Sequence, residues 1–165
     1  MASLNAAVPP RVRRLAAELH PRLTPFDSVR ERHSLLVKRL DDDDPLPRLR
    51  ERLRPLLARA APVNAAVTGI DVFEDPPVGA APVVHLAVES PGLARLHRRL
   101  VEEFGAIRGL EGEAYEMHVT LARGGDPEAA AALTDRDVAR VEWTVDELEL
   151  YDSRYDAAVA RLPLG

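Results

Sequence analysis

Cysteine is absent from the 165 residues. That excludes disulfides, thiolate catalysis and cysteine-liganded zinc, and it fits a reducing cytoplasm, the expected location. Lysine is nearly absent too: Lys38 is the only one among 22 basic residues, the rest being arginine. No stretch approaches 18 apolar residues, so no membrane-spanning helix and no membrane partner are expected. Met1–Pro10 lacks a basic n-region and a long apolar run, and is not expected to act as a signal peptide. A net charge of −5 argues against a general nucleic-acid coat protein, though not against a local basic groove. No His-x-x-x-His or comparable ligand spacing occurs, so no metal and no cofactor are expected.

Hydrophobic content of 46% and charged content of 30% belong to an ordinary globular chain. The length suits a single domain over 1–165, or two small lobes sharing a core. Periodicity gives the order of elements. Ser3–Val8 is a short strand candidate. Pro9 and Pro10 open a helix whose apolar stripe is Val12, Leu15, Ala16 and Leu19, and His20-Pro21 ends it. Leu35-Leu36-Val37 is the centre of an inner strand. The acidic run Asp41–Asp44 reads as a solvated loop or helix N-terminus, with a metal site as the sharper alternative.

A second helical stripe follows at Leu46, Leu49, Leu53, Leu56 and Leu57, which Pro55 is expected to kink or split. Its arginines, Arg48, Arg50, Arg52, Arg54 and Arg59, read as a solvated face, or alternatively as an RNA-contacting one. Val63–Phe73 alternates but changes parity at Gly69, the mark of a bulge or tight turn. Val83–Val88 is a strand. Ser90-Pro91 caps the clearest helix, which runs to Phe104 and stops at Gly105. Ala114–Arg123 alternates as a strand, with Tyr115, Met117, Val119 and Leu121 on one face and His118 and Thr120 on the other. Asp126-Pro127 opens a short helix. Val141, Trp143 and Val145, then Leu148 and Leu150 in the other parity, and finally Tyr155–Leu162 complete the strands. Helices interleaved with neighbouring strand pairs favour an α+β class over a doubly wound parallel sheet.

Five histidines are candidates for chemistry. His20 ends a helix, and His97 lies on an apolar helical stripe. His85 alternates with Val83 and Ala87; it reads as structural, though it could line a cleft. His33 and His118 each sit beside a hydroxyl residue, in His33-Ser-Leu-Leu and His118-Val-Thr-Leu. The two stretches lie half a chain apart, and each follows an amphipathic helix. That echo suggests two similar lobes, near residues 30–40 and 114–123, each giving one histidine strand to a shared cleft.

His118-Val-Thr-Leu-Ala-Arg123 resembles the second signature of the two-histidine (2H) phosphoesterases, the superfamily of 2′-5′ RNA ligase-like proteins and cyclic phosphodiesterases. Their pattern is His, any residue, Thr or Ser, then an apolar residue, occurring twice. The resemblance implies a bilobal α+β fold, with two pseudo-symmetric lobes whose antiparallel or mixed sheets surround a central cleft and whose helices lie outside. The first signature departs, because Leu35 takes the usual Thr/Ser place. Either a bulge turns Ser34 into the cleft, or Lys38 or Arg39 replaces the missing donor.

What the resemblance implies is a metal-independent phosphoesterase for 2′,3′-cyclic phosphates or 2′-5′ linkages, acting on an RNA end or a nucleotide. His33 and His118 are the expected catalytic pair, since imidazole both takes and gives a proton near neutral pH. Thr120, Ser34, Lys38, Arg123 and Tyr115 are the expected substrate contacts. The protein is expected to be a monomer. A non-catalytic RNA- or nucleotide-binding module with an eroded first motif is the competing reading.

Overall fold

Alternation becomes strand and apolar stripe becomes helix in nearly every segment. The computed structural model describes residues 1–40 and 43–165. Its strands are β1 (Ala2–Ala7), β2 (Ser28–Val29), β3 (Ser34–Leu40), β4 (Val63–Phe73), β5 (Val83–Glu89), β6 (His118–Arg123), β7 (Val141–Val145), β8 (Glu147–Asp152) and β9 (Ala157–Pro163). Its helices are α1 (Pro10–Leu19), α2 (Leu46–Ala58), α3 (Pro91–Phe104) and α4 (Pro127–Thr134). Ser90 caps α3 by accepting the Leu93 N–H at 3.2 Å, and Gly105 ends it at φ 79°, where a side chain would be strained.

Three expectations need correction. α2 runs unbroken through Pro55 to Ala58. Pro55 deprives only the Glu51 carbonyl of its donor, and Glu51 is exposed, so water can replace the lost bond. β6 starts at His118 rather than Ala114, because Gly112–Ala114 forms a 3₁₀ turn and Tyr115 folds inward. The loop expected over Leu23–Ser28 gives way at its end to a short strand, Ser28–Val29, beside β6. Of the acidic run, Asp41 and Asp42 lie outside the described residues; Asp44 pairs with Arg52 at 2.6 Å, leaving that part of the run as a salt-bridged helix approach.

The strands form two antiparallel sheets, ordered β3-β1-β8-β9 and β2-β6-β5-β4-β7. The parity change after Val145 is the point where the chain leaves the second sheet and enters the first. Val141 and Val145 face the core from one sheet, and Leu148 and Leu150 face it from the other. The change at Gly69 is a bulge between Val67 and Gly69. One face of each sheet is apolar and buried: Ala2, Leu4 and Ala6 of β1, Leu35 of β3, Val84 and Leu86 of β5, Val119 and Leu121 of β6. The other faces carry the polar residues described below.

β3 is an edge strand, whose outward N–H and C=O groups need partners. The segment between α3 and β6 supplies them. Glu111 accepts the Arg39 N–H at 2.8 Å and the Lys38 ammonium at 2.7 Å. His97 donates from Nδ1 to the Val37 carbonyl at 2.7 Å, while its Nε2 accepts the Gly112 N–H at 3.0 Å. That pairing requires a neutral ring, and burial lowers the His97 pKa accordingly. Tyr115 stacks on His97, with centroids 3.8 Å apart, and donates to the Leu36 carbonyl at 2.7 Å. The Lys38–Glu111 pair is 2% exposed on both sides. Glu111→Gln strands a buried ammonium and is expected to cost about 3–5 kcal/mol. Lys38→Met with Glu111→Gln should lose less than the two single changes summed. Urea unfolding of the four proteins checks this; a single Glu111→Gln loss below about 1 kcal/mol contradicts it.

Candidate active site

Three cross-strand rows line the polar face of the second sheet. Gly69, Ala87 and His118 are opposite one another on β4, β5 and β6; so are Asp71, His85 and Thr120, and then Phe73, Val83 and Arg123. Opposed residues on antiparallel strands share a face. A register shift between Val84 and His85 keeps both Thr120 and Arg123 on it. Small residues beside His118 leave its ring free to lean over the sheet. The ring meets Phe73 edge-on, with centroids 4.9 Å apart, and lies 5.1 Å from His85.

His118 is held in one tautomer. Its Nδ1 lies 2.8 Å from the Glu116 carbonyl, which only accepts, so the proton sits on Nδ1 and Nε2 keeps a lone pair. Burial lowers the His118 pKa. The Glu116 main-chain contact opposes this, Arg123 and Arg39 push further down, and the Glu116 carboxylate pulls back weakly. The imidazole is therefore neutral near pH 7. Burial, then Arg30 and Arg39, also lowers the Arg123 pKa, so both guanidinium groups act on Arg123. Among the described residues, no carboxylate forms a salt bridge with Arg30, Arg39 or Arg123. An uncompensated arginine cluster beside a neutral imidazole suits an anion with several oxygens. Arg123 donates to the Val78 carbonyl at 2.9 Å, and Gly79 permits that close approach, since a Cβ there would stand 2.5 Å from Nη1.

The remaining candidate residues lie on the first sheet and the segment before it. β3 pairs with β1 through a bulge, so Ser34 is opposite Ala7, Leu36 is opposite Asn5 and Arg39 is opposite Ser3. Leu35 pairs with Ala6 on the buried face and is fully covered. The exposed hydroxyl on the cleft side of β3 is thus Ser34, one residue before the usual place. Arg39 shares its face. Lys38 does not serve the cleft: its ammonium is consumed by Glu111 and by the Arg39 carbonyl. Tyr115 likewise spends its hydroxyl on Leu36, and burial pushes its pKa far above the usual phenol value.

His33 lies just before β3 and is half-buried. Burial lowers its pKa, followed by Arg30 and His20; His118 is not among the charges acting on it. The imidazole beside His118 is His85, not His33. Arg32, one residue back, shares Ser34's alternation and donates to the Asp156 carbonyl at 3.2 Å. Sequence reasoning left Arg30 and Phe73 out of the site, and read His85 as structural with cleft lining as the alternative. Asp71-Val-Phe73 facing Val83-Val-His85 across a hairpin was the signal available for the last two. No three His, Asp or Glu side chains converge to hold a metal among the described residues.

Two antiparallel sheets with four helices among the described residues make a mixed α+β fold shared with the 2H phosphoesterases. The chain belongs to the 2′-5′ RNA ligase superfamily, whose family model matches residues 7–157. TT0787 of Thermus thermophilus is similar over 99% of this chain and 97% of its own, at 23% identity and a TM-score of 0.69. LigT of E. coli complexed with 3′-AMP is similar over 99% and 94%, at 16% identity and a TM-score of 0.64. A further solved phosphoesterase is similar over 99% and 97%, at 18% identity and a TM-score of 0.58. No curated protein matches by sequence. No helix among the described residues is long and apolar enough to cross a membrane.

His85 makes the fold sensitive to acid. Burial, with His118 next, holds its pKa at about 4, against the weaker pull of Asp71 and the Leu86 main chain. The unfolded chain therefore binds a proton below the ordinary histidine value of about 6.5 while the folded chain does not. Stability is complete above that value and falls as the pH drops from it towards about 4. Between about pH 7.5 and pH 4, wild type should lose about 2–3 kcal/mol more than His85→Phe. Denaturant unfolding at both pH values measures it, and equal losses contradict it.

Proposed function

We propose that this protein is a metal-independent phosphoesterase acting on 2′,3′-cyclic phosphates or 2′-5′ linkages of nucleotides or RNA ends. The observation that carries the reading is His118, neutral and with Nε2 free, beside Thr120 and the unpaired Arg39 and Arg123. His118 takes a proton from water. The water oxygen attacks phosphorus, the bond from phosphorus to the ribose 3′ oxygen breaks, and that oxygen receives a proton from the second acid group, leaving a 2′-phosphate. Thr120 and Ser34 hydrogen-bond non-bridging oxygens, and the arginines offset the charge that develops there. Ligation is the same path with a ribose 5′ hydroxyl attacking in place of water, and its reverse is attack of the 3′ hydroxyl on a 2′-5′ linkage to regenerate the cyclic phosphate.

On the first lobe, His33 is proposed as the second proton carrier, standing next to Ser34 and Arg30. The competing reading, a binding module without turnover, is favoured by one observation: the charges acting on His33 are Arg30 and His20 rather than His118. E. coli LigT has been solved with 3′-AMP and with ATP, which supports a nucleotide ligand for either reading. The protein is proposed to work as a cytoplasmic monomer.

Turnover of 2′,3′-cyclic AMP, with and without chelator, tests these statements. Wild type should turn over in chelator, and His118→Ala should lose at least about a hundredfold in kcat/KM. His33→Ala should lose a similar factor; full activity in that variant removes His33 from the chemistry, and binding without turnover in wild type selects the module. Because neutral His118 is the working form and its pKa is lowered, kcat/KM should fall on the acid side with a midpoint below about 6.5. A midpoint above that value contradicts His118 as the base.

A further inference from the structure

Aromatic side chains are scarce in this chain, and most of them have a stacking partner. Tyr115 stacks on His97, Phe73 on His85, Arg52 lies over Phe104 and Arg154 over Tyr155. Tyr151 is half-buried at the end of β8, yet among the described residues no ring or guanidinium covers its ring. Arg39, Ser3 and Tyr151 are opposite one another on β3, β1 and β8, so they share one face of the first sheet. The neighbouring row, Lys38, Leu4 and Leu150, is buried on the other face. Two strand spacings, about 10 Å, separate Arg39 from Tyr151, with only the small Ser3 between them. Arg30 acts on Arg123 and on Tyr151 alike, which ties this end of the row to the cation cluster. The Tyr151 hydroxyl donates to the Asp156 carboxylate, which Arg32 also contacts. Asp156 sits at φ 47° in the turn between β8 and β9, an uncommon conformation for a residue other than glycine.

We propose that Tyr151 is the base-binding residue of this site: a nucleobase stacks on its ring while the attached phosphate lies at Arg39, Arg123 and His118 and the ribose passes over Ser3. The proposal rests on the phosphoester reading of the site. The Tyr151 hydroxyl is spent on Asp156, so what the residue has left to offer a ligand is a flat apolar face. That face suits a base and not a phosphate, which the arginines serve. Held at its far edge by Asp156, the ring is ordered before the ligand arrives, which lowers the entropy cost of stacking. Ser3 keeps the path between cation and ring clear, and a long side chain there would fill it. Stacking does not read the edges of a base, so purine and pyrimidine nucleotides both gain from it.

The test compares adenosine 2′-monophosphate, uridine 2′-monophosphate and inorganic phosphate by calorimetry. Wild type should bind both nucleotides more tightly than phosphate. Tyr151→Leu should weaken both nucleotides by about ten- to a hundredfold, the worth of one stacked base, and leave phosphate within about twofold. Tyr151→Phe, which keeps the ring and gives up the hold of Asp156, should retain most of the nucleotide affinity. In wild type, the Tyr151 ring NMR signals should move upfield with either nucleotide and stay in place with phosphate, a measurement that does not depend on any variant folding. Unchanged nucleotide affinity in Tyr151→Leu, equal weakening of all three ligands, a loss confined to one base, or a Tyr151 signal that ignores the nucleotides overturns the proposal. Nucleotides that bind no more tightly than phosphate overturn it too, while leaving the phosphoester reading in place. Wild type that binds none of the three overturns that reading, and this proposal with it.

Discussion

The ion pair between Lys38 and Glu111 holds the two halves of the cleft in register. Glu111 comes from the segment before β6, and Lys38 from the edge strand β3. The same carboxylate accepts the Arg39 and Ile107 N–H groups, at 2.8 and 3.0 Å. His97 and Tyr115 complete the junction through the Val37 and Leu36 carbonyls. A strand edge that would otherwise be open is thereby satisfied by side chains from the other half of the chain. Arg39 follows directly from this arrangement. With its backbone fixed by Glu111 and its side chain on the cleft face, it is brought within electrostatic reach of His118 and Arg123.

The chain's one lysine is thus structural, and arginine supplies the cleft cations. The division is physically reasonable. An ammonium is a compact charge that one carboxylate and one carbonyl can satisfy in the interior, whereas a guanidinium fork matches the oxygens of an anion. The histidines divide in a similar way. His97 is locked neutral as a bridge, His85 is neutral and unpartnered, and His118 is neutral with its tautomer set by Glu116. Burial is the leading cause of the lowered pKa in all three.

Much of this was legible in the sequence. The proline-led helices, the Ser90 cap and the parity changes at Gly69 and after Val145 all follow from local chemistry; the structure resolves the first parity change as a bulge and the second as a change of sheet. His118 and Thr120 were readable because a two-residue period puts them on one face whatever the tertiary context. The first lobe was harder. Its cleft face depends on a bulge in the pairing of β3 with β1, and nothing within Ser34–Leu40 announces one. Without that bulge Arg39 shares a face with Leu35; with it, Arg39 joins Ser34 and Leu36. Lys38 and Tyr115 looked like substrate contacts because polar groups near a histidine strand attract that reading, and their true partners lie 73 and 79 residues away. His85 could be placed on the cleft only once the register of three strands was known.

The central claim is that the cleft receives an anion between the arginines and His118. The most direct measurement is the NMR titration of the His118 imidazole with and without inorganic phosphate. A negative charge seated beside the ring favours its protonated form, so phosphate should raise the His118 pKa. A His118 titration that phosphate does not move would contradict the account.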